Sequence, residues 1–109
     1  MNREQSGPLL VHVDASLAEI VPSYLENRRK DLTLLADMLQ KGDFEPMRVL
    51  GHRMKGSGGG YGFVHISDIG RRMEQAALQT NTTELLACIA ELTAYLDQIE
   101  VVYTETALS

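Results

Sequence analysis

The sequence has no tryptophan, one cysteine, two phenylalanines and three prolines among its 109 residues. Each scarcity excludes something. A single thiol, Cys88, cannot close a disulfide within the chain, which fits a reducing compartment. Aromatics at 6% leave too few rings for a base-stacking platform. No apolar run approaches the roughly 20 residues needed to cross a bilayer. The N-terminal segment carries Arg3 and Glu4, and its longest apolar run is Leu9-Leu10-Val11, so no secretory leader is expected. A formal charge of −5 argues against the broad positive surface of a nucleic-acid binder. No stretch alternates apolar and polar residues in the manner of a strand. What is present is ordinary soluble composition, 44% hydrophobic and 23% charged, at the length of one domain.

Periodicity supplies four helices. Residues 1–13 read as a flexible arm, broken by Pro8, whose Leu9, Leu10, Val11 and Val13 could pack on the rest. Ser16 and Glu19 have capping-box spacing for a short first helix. Val21, Leu25, Arg28, Leu32, Leu35 and Leu39 recur at three and four, with Pro22 in the first turn and Gly42 closing the helix. Arg28-Arg29-Lys30 reads as a solvated face, or as part of a docking rim. Asp43 is placed to cap a second helix with Pro46 in its first turn. Three glycines, Gly58-Gly59-Gly60, should kink or end it. Phe63, Ile66, Ile69, Gly70, Met73 and Ala77 mark a third helix ending near Gln79, with Gly70 suggesting close packing. Asn81 and Glu84 cap a fourth, striped by Leu85, Ile89, Leu92, Leu96, Ile99 and Tyr103. The tail from Thr104 to Ser109 should fray. The expectation is an all-α fold: an up-down-up-down four-helix bundle over residues 14–109, with a short N-terminal helix or arm.

Chemistry concentrates in Val49-Leu50-Gly51-His52-Arg53-Met54-Lys55-Gly56-Ser57-Gly58-Gly59-Gly60-Tyr61-Gly62. Met47, Leu50 and Met54 form the inward face of this helix, so His52 sits about 160° from its centre and points outward. Lys55 lies three residues on, within reach of whatever occupies the imidazole. Gly51 and Gly56 flank the histidine and suggest a close approach kept open. Val49 also points outward and suits the dry centre of a small docking surface. Arg48, Arg53, Lys55, Arg71 and Arg72 face one acid, Asp68, in the segment from Arg48 to Arg72. That is a local positive patch on an acidic chain, fit for an anionic ligand or an acidic partner. His12 reads as incidental and His65 as a structural histidine.

The run His-Arg-Met-Lys-Gly-Ser at residues 52–57, followed by Gly62 ten residues after the histidine, resembles the signature of histidine phosphotransfer (HPt) domains. The resemblance is specific over Gly51 to Glu74 and rests on helix pattern and length elsewhere. It implies a stand-alone phosphocarrier of a two-component phosphorelay, with a phosphoryl group carried on Nε2 of His52. The partners implied are receiver domains of response regulators or hybrid sensor kinases in the cytoplasm, with no nucleic acid and no membrane. No cofactor is expected in the chain itself; the receiver brings Mg²⁺ and the aspartate. Glu74, 22 residues after His52, stands where the family places a polar side chain that orients the imidazole; Gln75 takes that role if the register differs by one. Lys55 would neutralise phosphoryl oxygens, with Arg53 or Arg48 assisting. Gly56 would leave space for the phosphoryl group, and Ser57 would donate a hydrogen bond or cap the helix. Arg48, Val49 and Gly59 fall to partner docking. A monomer is expected.

Other chemistries fit poorly. Lys55 precedes the glycines, so no phosphate-binding Gly-x-x-x-x-Gly-Lys-Ser/Thr exists, and Gly-x-Gly-x-x-Gly fails at Tyr61, Phe63 and His65. A Gly-x-Ser-x-Gly elbow fails at Lys55. His52 and His65 have no spacing that supports a metal pair. The serious alternative is a helical docking or inhibitor module that binds a receiver or kinase without carrying phosphate. An outward histidine beside a lysine and a glycine argues for the carrier, since docking needs no nucleophile.

Overall fold

The structure, a computed structural model, describes residues 7–105. Four helices carry the fold: α1 (Val21–Lys41), α2 (Phe44–Ser57), α3 (Val64–Leu78) and α4 (Thr82–Gln98). Connections of two to six residues make sequential neighbours antiparallel, and α1 also packs on α4, closing the ring. The core is formed by Val21, Tyr24 and Leu35 of α1, Met47 and Met54 of α2, Ile66, Ile69 and Met73 of α3, and Leu85, Cys88, Leu92 and Leu96 of α4, with Phe63 just ahead of α3.

Helix ends follow local chemistry. Gly42 adopts φ +69°, and the N–H groups of Gly42 and Asp43 return to the carbonyls of Leu39 and Met38, a Schellman closure. The α3 end repeats this pattern with Thr80 at φ +50°, its N–H on Ala77 and that of Asn81 on Ala76. Asn81 Oδ1 accepts from the Glu84 N–H at 3.1 Å and opens α4. Asp43 holds the expected position ahead of α2 but makes no side-chain cap. The triple glycine ends α2: a 3₁₀ turn over Gly59–Tyr61 follows, and Gly62, at φ +95°, turns the chain into α3.

Three expectations are corrected. The arm over residues 1–13 is, within the described part, a strand, β1 (Leu9–Asp14). The fourth helix stops at Gln98, and Ile99–Thr104 form β2, parallel to β1, with Leu9 opposite Ile99 and Asp14 opposite Thr104. Ile99 and Tyr103 satisfy a helical spacing after Leu92 and Leu96, but the run Ile99-Glu100-Val101-Val102-Tyr103-Thr104 is β-branched and aromatic. Val13, Val11, Ile99 and Val101 bury one face of this ribbon against the end of the bundle. The tail beyond Glu105 lies outside the described residues. The first helix of the capping-box reading is a single 3₁₀ turn, Ala15–Leu17, capped by Asp14, whose side chain accepts from the Ser16 N–H.

Within the basic run on α1, Lys30 is exposed, while Arg28 and Arg29 are engaged by the bundle. Arg28 donates to Asp31 at 2.8 Å and lies over the Tyr24 ring, its guanidinium carbon 4.6 Å from the centroid. Arg29 donates to the Leu96 carbonyl at 2.8 Å, a cation at the C-terminal end of α4. Asp31 is buried on the stripe Val21-Tyr24-Arg28-Asp31-Leu35, which keeps three-and-four spacing through two charged residues.

Candidate functional site

Two glycines set the distance between α2 and α3. A Cβ built on Gly51 would lie 2.7 Å from the Glu74 backbone nitrogen and 2.8 Å from the Gly70 carbonyl oxygen. One built on Gly70 would lie 2.5 Å from the Lys55 nitrogen and 2.7 Å from the Gly51 carbonyl oxygen. With hydrogens in place of side chains, the two backbones run almost in contact. Gly51 is therefore buried in a helix crossing and does not keep an approach to the histidine open, as its position beside His52 suggested. Gly56 has nothing within 4 Å of a built Cβ and does lie on open surface.

The crossing puts Glu74, one turn past Gly70, against the residue that follows Gly51. Glu74 Oε2 is 3.1 Å from His52 Nδ1. An ionised carboxylate only accepts, so Nδ1 carries the proton and Nε2 holds the lone pair of the neutral ring. The His52 side chain is 62% exposed and that of Glu74 only 12%. Lys55 Nζ stands 3.0 Å from the other carboxylate oxygen, Oε1, close enough for an ion pair but not aligned as a directional hydrogen bond. The Lys55 ammonium is the main reason the Glu74 carboxyl is held below its ordinary value; partial burial opposes it and His52 adds to it. Gln75 is exposed on the next position of the helix. The structure thus brings His52, Lys55 and Glu74 together.

Other predicted site residues do not touch the carboxylate. The Ser57 hydroxyl is 2.9 Å from the Tyr24 hydroxyl, on the α1 side of α2, so it is engaged away from the carboxylate. Tyr24 in turn stacks on Tyr61, ring centroids 4.2 Å apart, pinning the glycine turn to α1. Arg48 grips Glu45 through two nitrogens, at 2.9 and 2.6 Å. Val49 is half-buried, Arg53 exposed, and the exposed Gly59 donates its N–H to Ser67 Oγ at 2.8 Å.

The positive patch read from the sequence is largely neutralised. Arg48 pairs with Glu45, Lys55 with Glu74, Arg71 with Asp68, and Arg72 with Asp68, Glu84 and Glu91. Among the described residues, Arg53 is the one of those five cations with no acid within 4.0 Å. Linear counting missed this because acids outside the segment, Glu45, Glu74, Glu84 and Glu91, fold onto it. His65 Nε2 meets Glu91 Oε2 at 2.9 Å and its ring lies 4.8 Å from that of Tyr95. Among the described residues no group of three or more His, Cys, Asp and Glu side chains is placed to hold a metal ion.

Ser67 was not singled out by its sequence position. Its hydroxyl donates to the Lys55 carbonyl at 2.9 Å and accepts from Gly59, so it ties the end of α2 to the start of α3. A serine near a helix start carries no signal of that role.

An antiparallel four-helix bundle with a solvent-facing histidine in mid-helix, held from a neighbouring helix by a carboxylate, defines the class: a bundle that presents an imidazole from its second helix. A family model, the Hpt domain, matches residues 19–101, and the chain belongs to that family. Hpt domains act in histidine phosphotransfer within two-component signalling, as phosphocarrier modules rather than typical enzymes. No curated protein and no solved structure matches the chain. Among the described residues no helix is long and apolar enough to cross a membrane.

Proposed function

We propose that this chain carries a phosphoryl group on Nε2 of His52 between aspartates of receiver domains in response regulators or hybrid sensor kinases. The observation that carries the reading is the pair formed by an exposed imidazole and the largely covered Glu74, 3.1 Å apart. In loading, the Nε2 lone pair attacks phosphorus; an N–P bond forms as the P–O bond of the aspartyl phosphate breaks, and that electron pair returns to the aspartate carboxylate. The ring becomes an imidazolium that keeps its Nδ1 proton against Glu74. Unloading reverses each step. The chain supplies nucleophile and orientation, and the receiver is expected to supply Mg²⁺ and the acceptor.

In this reading Gly56 leaves room for the phosphoryl group, and Arg53, with Lys55, meets its charge. Arg48, Val49 and Gly59 belong to the docking rim, with Arg48 held in place by Glu45. Ser57 is left out, since Tyr24 engages its hydroxyl. The setting is the cytoplasm, and the working form a monomer.

The test is incubation with phosphorylated receiver domains, wild type beside His52→Gln. An acid-labile, base-stable label on wild type alone, with receiver binding kept in the variant, is the expected result. Binding without label on the wild type would overturn the carrier and leave a docking or inhibitor module.

A further inference from the structure

One carboxylate serves two cationic partners at this site. Glu74 Oε2 faces His52 Nδ1 at 3.1 Å, and Oε1 faces Lys55 Nζ at 3.0 Å. Oε1 is buried and has no aligned hydrogen bond, so Lys55 is its sole close charge. The charged groups near the imidazole are Lys55 and Arg48 on its own helix and Glu74 across on α3. Among the described residues no carboxylate of α1 or α4 comes within 4.0 Å of it. Arg48 is itself occupied by Glu45. The balance at the ring is therefore set by two neighbours of opposite sign.

Resting on the carrier reading, we propose that Glu74 and Lys55 are positioning residues that set the lifetime of phosphorylated His52. Glu74 holds the Nδ1 proton of the phosphorylated ring, and Lys55 competes for the same carboxylate. The chemistry is direct. Loss of the phosphoryl group to water breaks the N–P bond, and its electron pair goes to Nε2. That pair leaves readily when Nδ1 is protonated, because the departing group is then neutral imidazole. A carboxylate on Nδ1 keeps the ring cationic at higher pH. An ammonium on the same carboxylate weakens that hold. When Lys55 turns toward phosphoryl oxygens, the carboxylate passes wholly to the ring. Lys55 thus favours retention while on Glu74 and release once it leaves.

The experiment uses phosphoramidate as phosphoryl donor, so that no partner protein is needed. Loading is followed by ³¹P NMR, and the rate of label loss is measured from pH 5 to 9 for wild type, Glu74→Gln, Lys55→Gln and, as control, Lys41→Gln, a cation paired with Asp37 at the end of α1. In Glu74→Gln the acid-labile limb moves about one pH unit toward acid, which is about tenfold slower loss on the falling limb. In Lys55→Gln it moves in the opposite direction. Lys41→Gln leaves its midpoint in place. Limbs that stay put in both variants, or move together, overturn the inference. If His52 of the wild type takes no label, the carrier reading falls first and this inference with it. Opposite displacement of a pH profile is something simple loss of packing would not produce.

Discussion

Gly51 and Gly70 face each other across the α2–α3 crossing, each so close to the other's carbonyl that a methyl group on either would sit within 2.8 Å of it. That contact places Glu74 at His52, so the site depends on two residues with no side chain.

Gly51→Ala and Gly70→Ala should each destabilise the fold, despite a helix-propensity gain of about 1 kcal/mol. The clash is with backbone, which cannot swing aside, and overpacking costs about 1–3 kcal/mol before that gain is subtracted. Gly56→Ala on the same helix meets open space and should stabilise by up to about 1 kcal/mol. Urea denaturation of the three variants checks the opposite signs. If Gly56 leaves room for the phosphoryl group, its variant also transfers more slowly.

Thr80 closes α3 in a left-handed conformation that β-branched residues disfavour, where Gly42 does the same for α1 without strain. Thr80→Asn should stabilise by about 0.5–1 kcal/mol, since asparagine tolerates this region. A thermal melt should show a rise of a few degrees.

Ser67→Ala removes one donor to Lys55 and one acceptor for Gly59. The site is exposed, so water replaces part of the loss and the cost should be about 1 kcal/mol. Amide hydrogen exchange should accelerate from Gly58 to Gly62, with α1 unchanged.

Burial pushes the Cys88 thiol from an ordinary value near 9 up to about 11, and burial also raises Tyr95. A proton held more tightly in the folded state stabilises below the unfolded value and is lost as pH rises through the folded one. Stability should therefore be full below pH 9 and fall by on the order of 2 kcal/mol toward pH 11. Cys88→Ala should flatten that slope in denaturation curves taken from pH 8 to 11.

The inward stripes of α2 and α3, the closing role of Gly42 and the Asn81 cap were legible because helix period and capping act over a few neighbouring residues. The outward direction of His52 followed from the same period. Glu74 was one of two adjacent candidates; which of them reaches the ring depends on the rotation of α3 against α2, a property of packing at Gly51 and Gly70. Tyr24 and Asp31 were within reach, since they keep the α1 spacing, but a tyrosine and an aspartate do not read as a stripe.

By itself, the sequence determined four amphipathic helices, the ends marked by Gly42, the triple glycine and Asn81, and a histidine facing away from the core, all consequences of interactions within about one helical turn. Tertiary structure alone decided the rest. It paired Leu9–Asp14 with Ile99–Thr104 across some ninety positions, because a strand needs a partner that no local pattern names. It also chose which cations of the patch stay unpaired, leaving Arg53 without an acid among the described residues while Lys55 went to Glu74. Charge pairing depends on which side chains the fold carries together, and those lie far apart along the chain.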